Sequence, residues 1–283
     1  MHTIISKSGI IATFLEKGAE LVSLKTAVGK EYIWAGNPEF WGKHSPVLFP
    51  IVGTLKDNAY EFQNRTYPLS RHGFARDQSF SVVQKSGSSI TFSLQESAET
   101  LAVYPFRFEL QIKYTLENDT LEIQYQVSNK NTAALPFSLG AHPAFALSEN
   151  FEDYSLEFET NDNLNYHLLD HDLISNDSLP LKLTNKQLPL TYQLFENDAL
   201  VFKSVPAKKI TILENGKPRV KVGFSDFPDL GIWTKINAPF LCIEPWFGYS
   251  DSASATGKIL EKEGVKILNS GARFKAMFTI EVF

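Results

Sequence analysis

Apolar residues recur at every second position through Phe106, Phe108, Leu110, Ile112, Tyr114 and Leu116, and the rhythm resumes at Leu121, Ile123, Tyr125 and Val127 after Asn118-Asp119. A period of two gathers these side chains on one face of an extended chain, whereas a helix would scatter them round its circumference. The segment is therefore a hairpin with one buried face, turned at Asn118-Asp119. Weaker pairs of the same kind join residues 79–84 with 90–95 around Lys85-Ser86-Gly87-Ser88, 60–63 with 66–69 across Asn64-Arg65, and 209–213 with 219–224 around Asn215-Gly216. Phe274, Met277, Phe278, Ile280, Val282 and Phe283 close the chain as a further strand. Helix signals are scarce: residues 96–104 allow two turns stopped by Pro105, 38–42 allow one, and 258–263 is too short to assign. Many short strands with closely spaced turns predict an all-β fold, a large antiparallel β-sandwich or barrel with few short helices. No repeat, low-complexity run or Pro/Gly/Ser linker divides the 283 residues, so one domain over 1–283 is expected.

Composition narrows the function classes. The net charge is −5, with 27 basic and 32 acidic residues and no basic block, which argues against a nucleic-acid surface. The longest apolar runs fall far short of the roughly 20 residues that span a membrane. The N-terminus Met1-His2-Thr3-Ile4-Ile5-Ser6-Lys7 lacks the pattern of a signal peptide, and a cytoplasmic location is expected. Cys242 is the only cysteine, so no internal disulfide and no zinc site built on cysteines is expected.

Three segments carry reactive groups where the alternation breaks. Pro239-Phe240-Leu241-Cys242-Ile243-Glu244-Pro245-Trp246-Phe247-Gly248 reads as a buried strand over 240–243 that delivers one carboxylate, Glu244, where Pro245 opens a loop. A carboxyl among such neighbours is either paired structurally or desolvated, its pKa raised toward the range of a proton shuttle. Ser70-Arg71-His72-Gly73-Phe74-Ala75-Arg76-Asp77 sets a His, two Args and an Asp within a few residues, as a ligand-holding loop or a solvated one. Phe137-Ser138-Leu139-Gly140-Ala141-His142-Pro143-Ala144-Phe145 places His142 among small apolar residues, as a core histidine or as an acid–base partner for a nearby carboxylate.

Taken in order, Arg71-His72-Gly73-Phe74-Ala75-Arg76, Gly140-Ala141-His142-Pro143-Ala144-Phe145 and Cys242-Ile243-Glu244-Pro245-Trp246 resemble the aldose 1-epimerase (galactose mutarotase-like) family, in a divergent branch. Val47-Leu48-Phe49-Pro50-Ile51-Val52-Gly53 extends the resemblance toward the N-terminus. The resemblance implies a large antiparallel β-sandwich whose groove binds a monosaccharide, with neither metal nor organic cofactor. It implies Glu244 as the general base at the anomeric hydroxyl and His142 as the general acid at the ring oxygen. His72 and Arg76 match positions that hold the sugar. Lys56 stands where the family's binding Arg is expected, and Asp198 is the candidate for its sugar-binding Asp. Phe74, Trp233, Trp246 and Phe247 are candidates to stack on the sugar's apolar face, Trp246 foremost.

The reading favoured by these residues is anomer exchange of a free hexose. A hexose 6-phosphate epimerase would draw on Lys56, Arg71 and Arg76, a carbohydrate-binding sandwich without catalysis would keep the groove alone, and a metalloenzyme would use His72, His142 and Glu244.

Overall fold

The computed structural model describes residues 1–148, 150–160 and 164–283, and its strands pair antiparallel into two large sheets and several small ones. The nine-stranded sheet centres on the expected hairpin: Phe108–Glu117 pairs with Thr120–Asn129, with Leu116 opposite Leu121. The C-terminal strand, Arg273–Val282, pairs along the other side of Thr120–Asn129. The eight-stranded sheet ends in the succession Asp229–Trp233, Phe240–Phe247, Leu139–Ala141 and Val47–Leu48. Leu230, Ile232, Leu241 and Ile243 of this sheet join Ile112, Ile123, Val222 and Ile280 of the other in one buried cluster. Fully burying each such side chain is worth about 1.5–3 kcal/mol, so the interface between the sheets is what holds the sandwich together.

Local chemistry explains where the elements depart from expectation. The hairpin of Ala59–Phe62 with Arg65–Pro68 turns at Gln63-Asn64, one residue earlier than the pattern suggests. Both turn residues take positive φ, 51° and 60°, as a two-residue turn matched to strand twist requires. The helix Ala98–Val103 is nearly where expected: Ser97 and Thr100 form a reciprocal capping box, and the helix stops short of Pro105. Residues 38–42 make no helix. The Asn37 carbonyl accepts the Phe40 and Trp41 N–H groups, and its side-chain oxygen accepts that of Glu39 at 3.0 Å. An Asx-type turn thus competes successfully with a helix.

The largest correction concerns Pro245, which does not end its strand: Phe240–Phe247 runs straight through it, with Pro245 opposite Leu230. Ile243, two residues earlier, donates toward Pro143, in the break between Leu139–Ala141 and Ala144–Ala146. The register shared by the two segments sets Pro245 opposite Ala141, just past the last paired position, Gly140 with Trp246, so the proline falls where the pairing lapses. Among the described residues no helix is long and apolar enough to cross a membrane.

Candidate active site

Every residue of Phe240–Phe247 is buried, and the alternation of the strand sorts them. Leu241, Ile243 and Phe247 enter the core between the sheets, while Phe240, Cys242 and Trp246 belong to separate apolar clusters on the opposite face. Glu244 has the parity of this second set, so its carboxylate emerges on the face turned away from the core. His142 reaches it from the break between Leu139–Ala141 and Ala144–Ala146, which pair with the two ends of the Glu244 strand. The His142 Nε2 and Glu244 Oε2 atoms lie 3.2 Å apart, with His142 8% and Glu244 1% exposed. Trp246 continues the same face. Its indole lies across Gly140 and Gly231 on the flanking strands, where an added Cβ would stand 2.6 and 2.4 Å from ring atoms.

Trp41 stacks on the His142 ring at 4.8 Å and 25°, and Trp233 meets it edge-on at 5.9 Å. The turn that carries Trp41 is tied down: its carbonyl accepts the Trp34 indole N–H, and Lys235 Nζ donates to the Phe40 carbonyl. A stacked pair of this kind is worth about 0.5–1.5 kcal/mol, so Trp41→Ala is expected to lower kcat by about 2- to 10-fold through a mobile His142, with Trp41→Phe restoring most of it. Unchanged kcat in a folded Trp41→Ala protein would show that the stack does not position the ring.

The Arg71–Arg76 loop supplies the next wall. His72 adopts φ 67°, a left-handed conformation that costs of order 1–3 kcal/mol for a non-glycine residue and gathers at functional sites. Gly53 holds it there, accepting the His72 N–H at 2.8 Å and donating its own N–H to Nδ1 at 3.1 Å. While it accepts from Gly53, the neutral ring carries its proton on Nε2. Arg71 Nε also points its N–H at that nitrogen, at 3.2 Å, a bond the ring accepts in its other tautomer, so the Gly53 and Arg71 N–H groups compete for one lone pair. Arg76 Nη2 donates to the Arg71 carbonyl at 2.9 Å, and its buried Nε makes no hydrogen bond, Asp77 Oδ2 standing 3.7 Å away. Gly53 has φ 73°, and a Cβ there would stand 2.2 Å from Ser250 Oγ. Gly53→Ala is expected to destabilise the fold by about 2–5 kcal/mol, strain and clash combined, as read by urea denaturation; a loss under 1 kcal/mol would mean the loops move apart freely.

These groups line one cavity of about 300 Å³, at the lower end for small-molecule sites. Of the residues singled out from sequence, Glu244, His142, His72, Arg76, Asp198 and Trp246 all reach it. Asp198, with φ 73°, accepts the N–H of Ala199 through its own carboxylate at 2.7 Å. Lys56 does not reach the cavity. It lines a separate hollow with Tyr60 and Thr66, and its Nζ lies 3.4 Å from the Ala255 carbonyl. Lys56→Ala is therefore expected to leave KM for sugar within about twofold of wild type; a tenfold rise, about 1.4 kcal/mol, would restore it to the site. Trp233 lines the cavity, but Phe247 belongs to the core and Phe74 packs against it, so neither stacks on a ligand. The sequence offered no local signal for Trp41, or for Tyr249 and Ser250 just beyond the Glu244 strand, all of which line the cavity.

Burial governs the protonation of the site. It lifts the Glu244 carboxyl well above the ordinary carboxylate range, a rise that Arg71 opposes and Asp198 reinforces. It pulls His142 down to about 3, with Arg71 and Arg76 acting in the same direction. His72 is lowered well below the usual imidazole range by burial and by His142, Arg71 and Arg76, and so stays a neutral donor. Burial therefore pushes both members of the His142–Glu244 pair toward their uncharged forms, carboxylic acid and neutral imidazole.

The fold and its cavity are those of a recognised class: the chain belongs to the aldose 1-epimerase family, whose sequence profile matches residues 1–265. It is 36% identical over 268 residues, 88% of each chain, to the LacX protein encoded on a Lactococcus lactis subsp. lactis plasmid. Its fold superposes on a galactose mutarotase related enzyme from Lactobacillus acidophilus with a TM-score of 0.95 at 35% identity, covering 100% of this chain and 97% of that one. A galactose mutarotase-like protein from Lactobacillus casei matches with a TM-score of 0.94 at 34% identity over the full length of both chains.

Proposed function

We propose that the chain interconverts the α and β anomers of a free hexose by general acid–base ring opening, without a cofactor. The observation that carries this reading is the buried His142–Glu244 pair, 3.2 Å apart beside a cavity whose walls present further donors. Opening a pyranose requires a proton removed at O1 and another supplied at the adjacent ring oxygen. Glu244 takes the O1 proton, the C1–O5 bond breaks as C1–O1 becomes a carbonyl, and His142 gives its proton to O5. Rotation about C1–C2 presents the other carbonyl face, and reclosure with the roles reversed yields the opposite anomer.

The pair carries one proton throughout. Before opening it is carboxylate and imidazolium; afterwards it is carboxylic acid and imidazole. Burial favours the second distribution, so the carboxylate–imidazolium form that opens the ring is the higher-energy arrangement of the pair, and the proton returns to the favoured one as the ring opens. His72 Nε2–H and the Arg71 and Arg76 guanidiniums hold hydroxyls, and Trp246 and Trp233 offer apolar faces to the sugar.

Arg71 and Arg76 also support a second reading, a hexose 6-phosphate substrate. Each already faces a carboxylate, Asp172 for Arg71 and Asp77 for Arg76, which favours the uncharged sugar. Polarimetry on freshly dissolved glucose, galactose and their 6-phosphates separates the readings. Acceleration of the free sugars is expected; acceleration confined to the phosphates would select the second reading, and binding without acceleration would leave a carbohydrate-binding protein.

A further inference from the structure

Cys242 lies two residues before Glu244, on the same face of the same strand, and its Cα partner across the ladder is Ala144, two residues beyond His142. Among the described residues, one ligand atom each from His142, Cys242 and Glu244 lie within 4.8 Å of one another, and all three residues are buried. A second observation points to a ligand at this place. Glu244 Oε2 is a buried polar atom that makes no hydrogen bond, even though His142 Nε2 lies 3.2 Å from it, whereas the interior ordinarily satisfies such groups.

The donors are an imidazole nitrogen, a thiol sulfur and a carboxylate oxygen. This mixed set suits zinc and its soft neighbours and is unsuited to magnesium or calcium, which take oxygen alone. Zinc–ligand distances of about 2.0–2.3 Å place tetrahedral ligand atoms roughly 3.3–3.8 Å apart, so the His142–Glu244 edge at 3.2 Å is already close to the required spacing and only the sulfur must draw in. The fourth position opens toward the cavity that Glu244 and His142 line. The metalloenzyme alternative to the metal-free reading of the sequence set His142 and Glu244 beside His72; here the third ligand is the thiol, and the Nδ1 of His72 is already engaged by the Gly53 N–H.

We propose that His142, Cys242 and Glu244 form an inhibitory site for zinc-like divalent cations. A bound ion takes both groups that the proposed ring opening needs, so metal and sugar chemistry exclude each other. Binding displaces the thiol proton and the proton shared by His142 and Glu244 into solvent. The inhibitory half of the proposal rests on the anomer-exchange reading; the binding half stands without it.

Cobalt(II) titration of the metal-free protein tests the binding half directly. Wild type is expected to take up one equivalent with a thiolate-to-cobalt charge-transfer band, which Cys242→Ala and Cys242→Ser lose. In parallel, zinc is expected to inhibit anomer exchange by wild type, and Cys242→Ala to raise the inhibition constant by about 10- to 100-fold while its metal-free rate stays within about twofold of wild type. Wild type showing no thiolate band, or zinc inhibition identical in wild type and both cysteine variants, would overturn the site. If wild type exchanges no sugar at all, the proposed activity fails while the band and its stoichiometry still decide the metal site.

Discussion

Glu244→Gln is expected to lower kcat for anomer exchange by about 10²–10⁴-fold while the protein keeps its fold and still binds sugar. Glutamine fills the space of the carboxyl and retains an acceptor oxygen, so packing beneath the strand is preserved. What is lost is the atom that accepts the O1 proton. The effect should fall on kcat, because the base acts during opening rather than in holding the ring, and KM should change little. Full activity in the variant would remove Glu244 from the base role.

His142→Gln is expected to cost a similar factor and, in addition, to change the shape of the pH profile. In wild type the active form holds one proton on the pair, so activity falls on both sides of a broad plateau. On the acid side a second proton enters; because burial holds His142 down at about 3, this limb lies below the ordinary imidazole range. On the alkaline side the shared proton leaves; because burial lifts Glu244, this limb lies well above the ordinary carboxylate range. With His142 gone, the residual activity depends only on ionised Glu244. The profile should then rise with pH to a plateau and lose its alkaline limb. A bell retained in His142→Gln would assign the acid to another group, such as His72, whose ring lies 5.8 Å from that of His142.

Much of this architecture was legible in the residue pattern. The Phe108–Glu117 and Thr120–Asn129 hairpin follows from strict alternation, because one face is buried and a slip of one residue would expose all of it. The three reactive segments converge as their family resemblance implies. Pro245 is not legible in the sequence because a proline's local effect depends on whether its missing donor had a partner, and that is a property of the neighbouring strand. Trp41 is hidden in the sequence for a related reason. Nothing in the five residues around it differs from an ordinary surface turn, and only the fold brings its ring onto His142. Lys56 illustrates the opposite failure: its position in the chain matched a binding residue, but its backbone N–H is fixed by Asp251 and its side chain departs toward Ala255.

Buried Glu244 and His142 are central to the account, and exchange NMR on equilibrated glucose and galactose tests them most directly, with wild type and Glu244→Gln measured side by side. The α and β anomeric signals should exchange magnetisation in the presence of wild type, and should return to the uncatalysed rate with the variant, while both proteins broaden the sugar signals by binding. Exchange that persists undiminished in Glu244→Gln would contradict the account, because the ring would then open without the carboxylate around which this site is built.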